Sequence, residues 1–142
     1  NNNALRYPVE VVPCALSDEK TVSKIHIPSH ACTESSTLIN YGGTSFHHTD
    51  DWKGEGIDVH CDRLDDIYTG TPSFVKIDVE GHELKVLMGA KELITKHKPT
   101  ILIELLPHIE DSEHVRTLLK EMGYGEPVER PEAVFIFTHT SS

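Results

Sequence analysis

Apolar positions in the second half of the chain switch between two periods. Phe74-Val75-Lys76-Ile77-Asp78-Val79 is rich in β-forming residues and stops at Glu80-Gly81, which predicts a strand over 74–79. Leu84, Val86, Leu87, Ala90, Leu93 and Ile94 then recur at helical spacing, predicting a helix near 82–97. Lys96-His97-Lys98 suits the negative end of its dipole, and Pro99 stops it. Thr100 to Leu106 is almost continuously apolar and closed by Pro107, as expected of a strand buried on both faces of a parallel sheet. A second helix is expected near 111–122, capped by Asp111 or Ser112, with Val115, Leu118, Leu119 and Met122 on one face and Gly123 at its end. Residues 133–137 supply a last strand. The order β-α-β-α-β implies an α/β fold with a right-handed, helix-covered sheet.

The first half is more strand-like. Val9 to Leu16 reads as a strand that Pro13 weakens or ends. Val22 to Ile27 and Ile57 to Cys61 alternate apolar and polar residues, as half-buried strands do. Between them, about 28–56 is rich in Ser, Thr, Gly and His without periodicity, a long loop of the kind that is usually functional or disordered. We take 1–142 as one domain.

Composition narrows the function classes. With 142 residues, 37% hydrophobic and 25% charged, the chain has the makings of an ordinary core. Its 23 acids against 13 Lys and Arg give a net charge of −10. No basic stripe for neutralising phosphates is visible, so nucleic acid is not an expected partner. Seven acids fall between Asp50 and Asp66, and such a run reads first as a solvated face. The three cysteines, Cys14, Cys32 and Cys61, form no Cys-x-x-Cys pair; they read as reduced thiols in a cytoplasmic or other intracellular soluble compartment. No apolar run approaches the roughly 20 residues needed for a membrane span.

In an open parallel sheet, ligands bind at the carboxyl ends of the strands. Asp78 and Glu80 fall at such an end, Glu83 lands in the first turn of the following helix, and Glu104 closes the next strand. Strand alternation would point Asp78 and Glu80 to the same side. Gathered acids could bind a hydroxyl, an amine or a divalent cation, or take a proton from a nucleophile. Asp78 lies among apolar strand residues, where an unpaired charge is costly, so function is favoured there. For Glu83, a role in the site and simple stabilisation of the helix dipole stand side by side. The ten histidines, His47, His48, His60 and His82 among them, lack fixed ligand spacing, and no metal is assigned. Oxygen ligands at Asp78 and Glu80 would suit magnesium or calcium better than zinc.

The 17 residues from Phe74 to Ala90, followed by Lys98-Pro-Thr-Ile-Leu-Ile-Glu104, resemble the signature of FkbM-type S-adenosylmethionine-dependent methyltransferases. Ala15-Leu16-Ser17-Asp18, the Asn40 to Ser45 loop, Leu64-Asp65-Asp66 and Gly123-Tyr124 extend the likeness over nearly the whole chain. The resemblance implies a Rossmann-like methyltransferase sheet with its final strand inserted antiparallel. It implies S-adenosylmethionine as cofactor, with Ala15, Leu16 and Ser17 near the adenine. It also implies methylation of a hydroxyl on a small-molecule or sugar-containing substrate, with Asp78, Glu80, Glu83 and Glu104 as catalytic candidates.

The family's opening strand, glycine-rich turn and ribose-binding acid are expected before residue 1, which makes 1–142 a partial methyltransferase-like domain. Neither Gly54-Glu55-Gly56 nor Gly123-Tyr124-Gly125 links a strand to a helix, as a nucleotide loop must. The edge left by the missing strands would invite another polypeptide. A non-catalytic scaffold or subunit that keeps the fold is the competing reading, and metal-dependent hydrolysis has only the acids behind it.

Overall fold

The computed structural model describes residues 9–26, 56–105 and 111–140. The loop expected at about 28–56, with the Asn40 to Ser45 segment, lies almost wholly outside these residues. Two sheets are formed. In the first, β1 (Ala15–Leu16) runs parallel to β3 (Ile57–Asp62), which pairs antiparallel with β2 (Thr21–Ile25). Only two residues of the expected 9–16 strand join a ladder. Pro13 has no N–H to offer, and the Cys14 N–H turns back to the Val12 carbonyl at 2.9 Å.

The second sheet holds β4 (Phe74–Ile77), β5 (Thr100–Glu104), β6 (Val128–Arg130) and β7 (Val134–Phe137), in the order β4-β5-β7-β6. β4 and β5 are parallel neighbours, and β7 inserts antiparallel between β5 and β6. This agrees with the expected sheet and places the strand ends needed for a site side by side. β6 was not legible in advance: its three residues are all exposed, so it has no apolar face.

Register decides which face is buried. Ile77 opposes Ile103, which opposes Phe135, while Ile101 opposes Phe137. These residues form the core with Val86, Leu87 and Ile94 from two helices, α2 (Glu83–Gly89) and α3 (Lys91–His97), and with Val115 and Leu119 of α4 (Ser112–Glu121). β5 is not buried on both faces as expected: Ile101 and Ile103 are fully enclosed, whereas Thr100, Leu102 and Glu104 are half-buried. Tyr124 closes the core's lower end. Its hydroxyl donates to the Pro99 carbonyl at 2.7 Å, and burial pushes its pKa up to about 12. α4 ends in a left-handed Gly123 (φ 88°), whose N–H and that of Tyr124 bond back to the Lys120 and Leu119 carbonyls, as a Schellman turn requires. Asp111 stands at the N-cap but makes no capping bond; its carboxylate meets His114 Nδ1 at 3.3 Å instead.

The single helix expected near 82–97 is two, α2 and α3, broken at Ala90. A carboxylate distant in sequence supports the break. Asp65, in the short helix α1 (Leu64–Ile67), accepts the N–H groups of Leu93 at 2.9 Å and Glu92 at 3.1 Å. It therefore caps α3 from outside and is paired with Arg63 at 3.1 Å, its side chain only 3% exposed. The reading of the acidic run as a solvated face fails at this residue. Asp65→Ala removes both cap bonds and leaves Arg63 without this partner. A loss of roughly 1–3 kcal/mol is expected, read as a lower denaturant midpoint with an unchanged m-value.

Candidate active site

β4 leaves its ladder after Ile77, and the chain turns sharply. Glu80 (φ 51°) and Gly81 (φ 97°) are both left-handed, a conformation easy for glycine and uncommon for glutamate. Glu80 is thus presented by a turn, and the strand alternation expected to align it with Asp78 does not operate. The His82 N–H closes the turn onto the Val79 carbonyl at 3.3 Å, and the Gly81 N–H donates to Glu83 Oε1 at 3.0 Å. Glu83 is 5% exposed. Its carboxylate turns back to satisfy a backbone donor ahead of α2.

Asp78 departs from expectation in its surroundings. Its apolar strand neighbours predict a costly buried charge, yet its side chain is 38% exposed and ion-paired with Lys76 at 2.7 Å. The physical reason is its face: Ile77 points into the core, so Asp78 points to the other side. Glu104 closes β5 on that same side, one step beyond the Ile77–Ile103 pair.

Desolvation raises the Glu104 pKa, reinforced by the charges of Asp78 and Glu80 and a hydrogen bond with Asp78, and only partly opposed by Lys76. Asp78, Glu80 and Glu104 are therefore brought within electrostatic reach of one another. Among the described residues, no His, Cys, Asp and Glu side chains form a group of three able to hold a metal.

A raised carboxyl pKa binds more protons in the folded state than in the unfolded one. The Glu104 contribution to stability is therefore greatest below the ordinary value of 4.5 and is lost as pH rises through the shifted value. Glu104→Gln is expected to melt above the native protein at pH 7, with the gap closing near pH 4. Melting curves of both proteins across pH 4–8 check this; a lower melting temperature at pH 7 would contradict it.

Beside the acid turn lies the end of β1. Leu16 lines a cleft of about 290 Å³ with Glu10, Val12, Cys14, Leu64, Ile67 and Tyr68. Ala15 instead faces a second cleft of about 420 Å³, lined also by Ile25, Val59 and His60. Ser17 is 4% exposed; its N–H continues the ladder to the Asp62 carbonyl, and its hydroxyl donates to Asp18 at 3.0 Å. Desolvation of Asp18 is outweighed by that bond, a backbone bond and the charges of Lys85 and His82, which together lower its pKa.

His82 Nε2 lies 3.2 Å from the Ser17 hydroxyl, so Ser17, alone of the three expected cofactor residues, is bonded to the turn that carries the acids. From sequence, His82 reads as one of the exposed loop histidines without ligand spacing, whereas the structure leaves it only 8% exposed. A signal was present, since His82, Lys85 and Gly89 recur at i, i+3 and i+7 and form a second face of α2. That face grips Ser17 and Asp18.

Residues 1–125 match the family model described as the methyltransferase FkbM domain. Among solved structures, the chain is similar to the methyltransferase FkbM from Methylobacillus flagellatus KT, with 24% identity and a TM-score of 0.46. That likeness covers 58% of this chain and 24% of the other, so the chain matches about a quarter of that protein's length. No curated protein matches. By the extent of the family match, the chain belongs to the FkbM methyltransferase domain family.

Proposed function

We propose that this chain forms the acceptor side of an S-adenosylmethionine-dependent O-methyltransferase acting on a hydroxyl of a small-molecule or sugar-containing substrate. The observation that carries the proposal is the meeting of Asp78, Glu80 and Glu104 at the carboxyl ends of β4 and β5, with the Glu104 pKa raised. A carboxyl shifted toward neutrality is suited to hold the proton that a hydroxyl gives up. Asp78 accepts a hydrogen bond from that hydroxyl and orients its oxygen, while Lys76 offsets part of the gathered negative charge. Glu83 holds the turn.

The residues present fit part of the cofactor. The mostly apolar cleft beside Leu16, with Leu64, Ile67 and Tyr68 on its walls, suits a flat base such as adenine. When bound, the cofactor supplies a methyl group activated on a sulfonium. The chain's own contribution is to hold the acceptor oxygen in line and to take its proton.

Among the described residues β4 pairs only with β5, leaving its other edge for a further strand. That strand belongs to a protein partner or to another segment of the same protein. No helix among the described residues is long and apolar enough to cross a membrane.

The test is transfer of isotope-labelled methyl from S-adenosylmethionine to a panel of hydroxyl acceptors by the protein that carries this chain. Label recovered as a methyl ether supports the proposal. Cofactor binding without transfer to any oxygen, or no binding at all, favours the scaffold reading.

A further inference from the structure

Ser17 and His82 stand 65 positions apart in sequence, and both are almost fully buried. Their contact joins the end of β1 to the N-cap of α2. A serine hydroxyl has one proton to donate. Here it goes to Asp18 Oδ1 at 3.0 Å, because a carboxylate is the stronger acceptor. The contact of 3.2 Å between Ser17 Oγ and His82 Nε2 must then run the other way, with the imidazole donating. This fixes a direction of bonding, from His82 through Ser17 to Asp18 Oδ1, the oxygen that Lys85 Nζ also approaches at 3.7 Å.

The location gives this chain of bonds its consequence. His82 lies between the left-handed Glu80-Gly81 pair and Glu83, and its backbone both closes the turn and receives the Val86 N–H at 3.1 Å. A left-handed glutamate persists only when its surroundings over-determine it. Local bonds at Val79 and Glu83 hold the turn together, and the Ser17 bond ties it to the end of β1. Without that tie, the turn bearing Asp78 and Glu80 has one fewer constraint relative to the Leu16 cleft.

We infer that His82, protonated at Nε2, is a positioning residue that holds the acid-bearing turn in register with the end of β1 through Ser17. The inference rests on the functional reading above for its kinetic consequence, but the bond has a readout of its own.

The experiment uses His82→Leu, which removes the donor, His82→Gln, whose amide restores one, Ser17→Ala, and the Ser17→Ala/His82→Leu double variant. Methyl transfer is expected to fall about 10–100-fold in kcat in His82→Leu, as misplacement of reacting groups does. The KM for S-adenosylmethionine should change much less, and His82→Gln should recover most of the rate. The double variant should be no slower than His82→Leu alone, because both substitutions break one bond. Equal losses in His82→Leu and His82→Gln, or losses that multiply in the double variant, would overturn the inference.

Nitrogen NMR of the imidazole at neutral pH and a melting-temperature cycle on the same four variants decide the bond without any turnover. A proton on Nδ1 alone, or additive melting effects, refutes it. If the native protein transfers no methyl group while Nε2 is protonated and the melting effects are non-additive, the functional reading falls and the tie stands.

Discussion

Gly89→Ala is expected to lower the melting temperature, although alanine in a helix is ordinarily the better residue by about 1 kcal/mol. A Cβ at position 89 would overlap the Ser17 carbonyl oxygen and crowd the Asp18 Cα. The obstacle is backbone, held by the Ser17 N–H bond to Asp62, so no side chain can rotate away to make room. α2 would have to back off from β1. Overpacking of this kind costs about 1–3 kcal/mol, or roughly 3–10 °C for a domain of this size.

The same shift would lengthen the His82–Ser17 bond, so activity should fall further than the melting temperature alone accounts for. Met88→Ala is the control, since Met88 is 46% exposed on the same helix and should leave the melting temperature nearly unchanged. Thermal melting of the two variants checks the prediction; a Gly89→Ala protein as stable as the native one would show that α2 does not sit against β1 as described.

The contact at Gly89 illustrates where the sequence was legible and where it was not. β4, β5, β7 and α4 could be read because their apolar residues repeat with the period of the element they form, and the core they bury is the same in any context. β6 has no such repeat; it exists because β7 offers an edge to pair with. The start of α3 after the break at Ala90 is capped by Asp65 of α1, which reaches N–H groups about 27 residues away. No local pattern announces that. Asp78 shows the opposite failure: its apolar neighbours suggested burial, but the strand's alternation turned it to the exposed side. The nearness of Asp78 and Glu104 follows from the rim that parallel neighbours share, whereas the His82–Ser17 tie needed the fold itself.

The largest effect on activity is expected from Asp78→Asn, which keeps the volume of the side chain and removes its charge. The folded protein should tolerate the change. Asp78 is exposed, its partner Lys76 is 60% exposed, and surface pairs of this kind contribute little, about 0–1 kcal/mol. Catalysis should not tolerate it. In the proposed site Asp78 orients the acceptor hydroxyl and keeps Glu104 poised to take the proton, and losing such acid–base help costs about 10²–10⁴ in rate.

The pH profile carries the sharper test. The Asp78 charge and its hydrogen bond both raise the Glu104 pKa, so removing the charge should let that carboxyl ionise at lower pH. The acid limb of the kcat profile is therefore expected to move down in pH in Asp78→Asn, while the residual rate at its plateau stays low. Turnover, its pH dependence and thermal melting are measured on native and variant proteins together. An unchanged rate would remove Asp78 from the site. A collapsed melting temperature would make it structural, and an acid limb shifted upward would mean that Glu104 is not the group it reports.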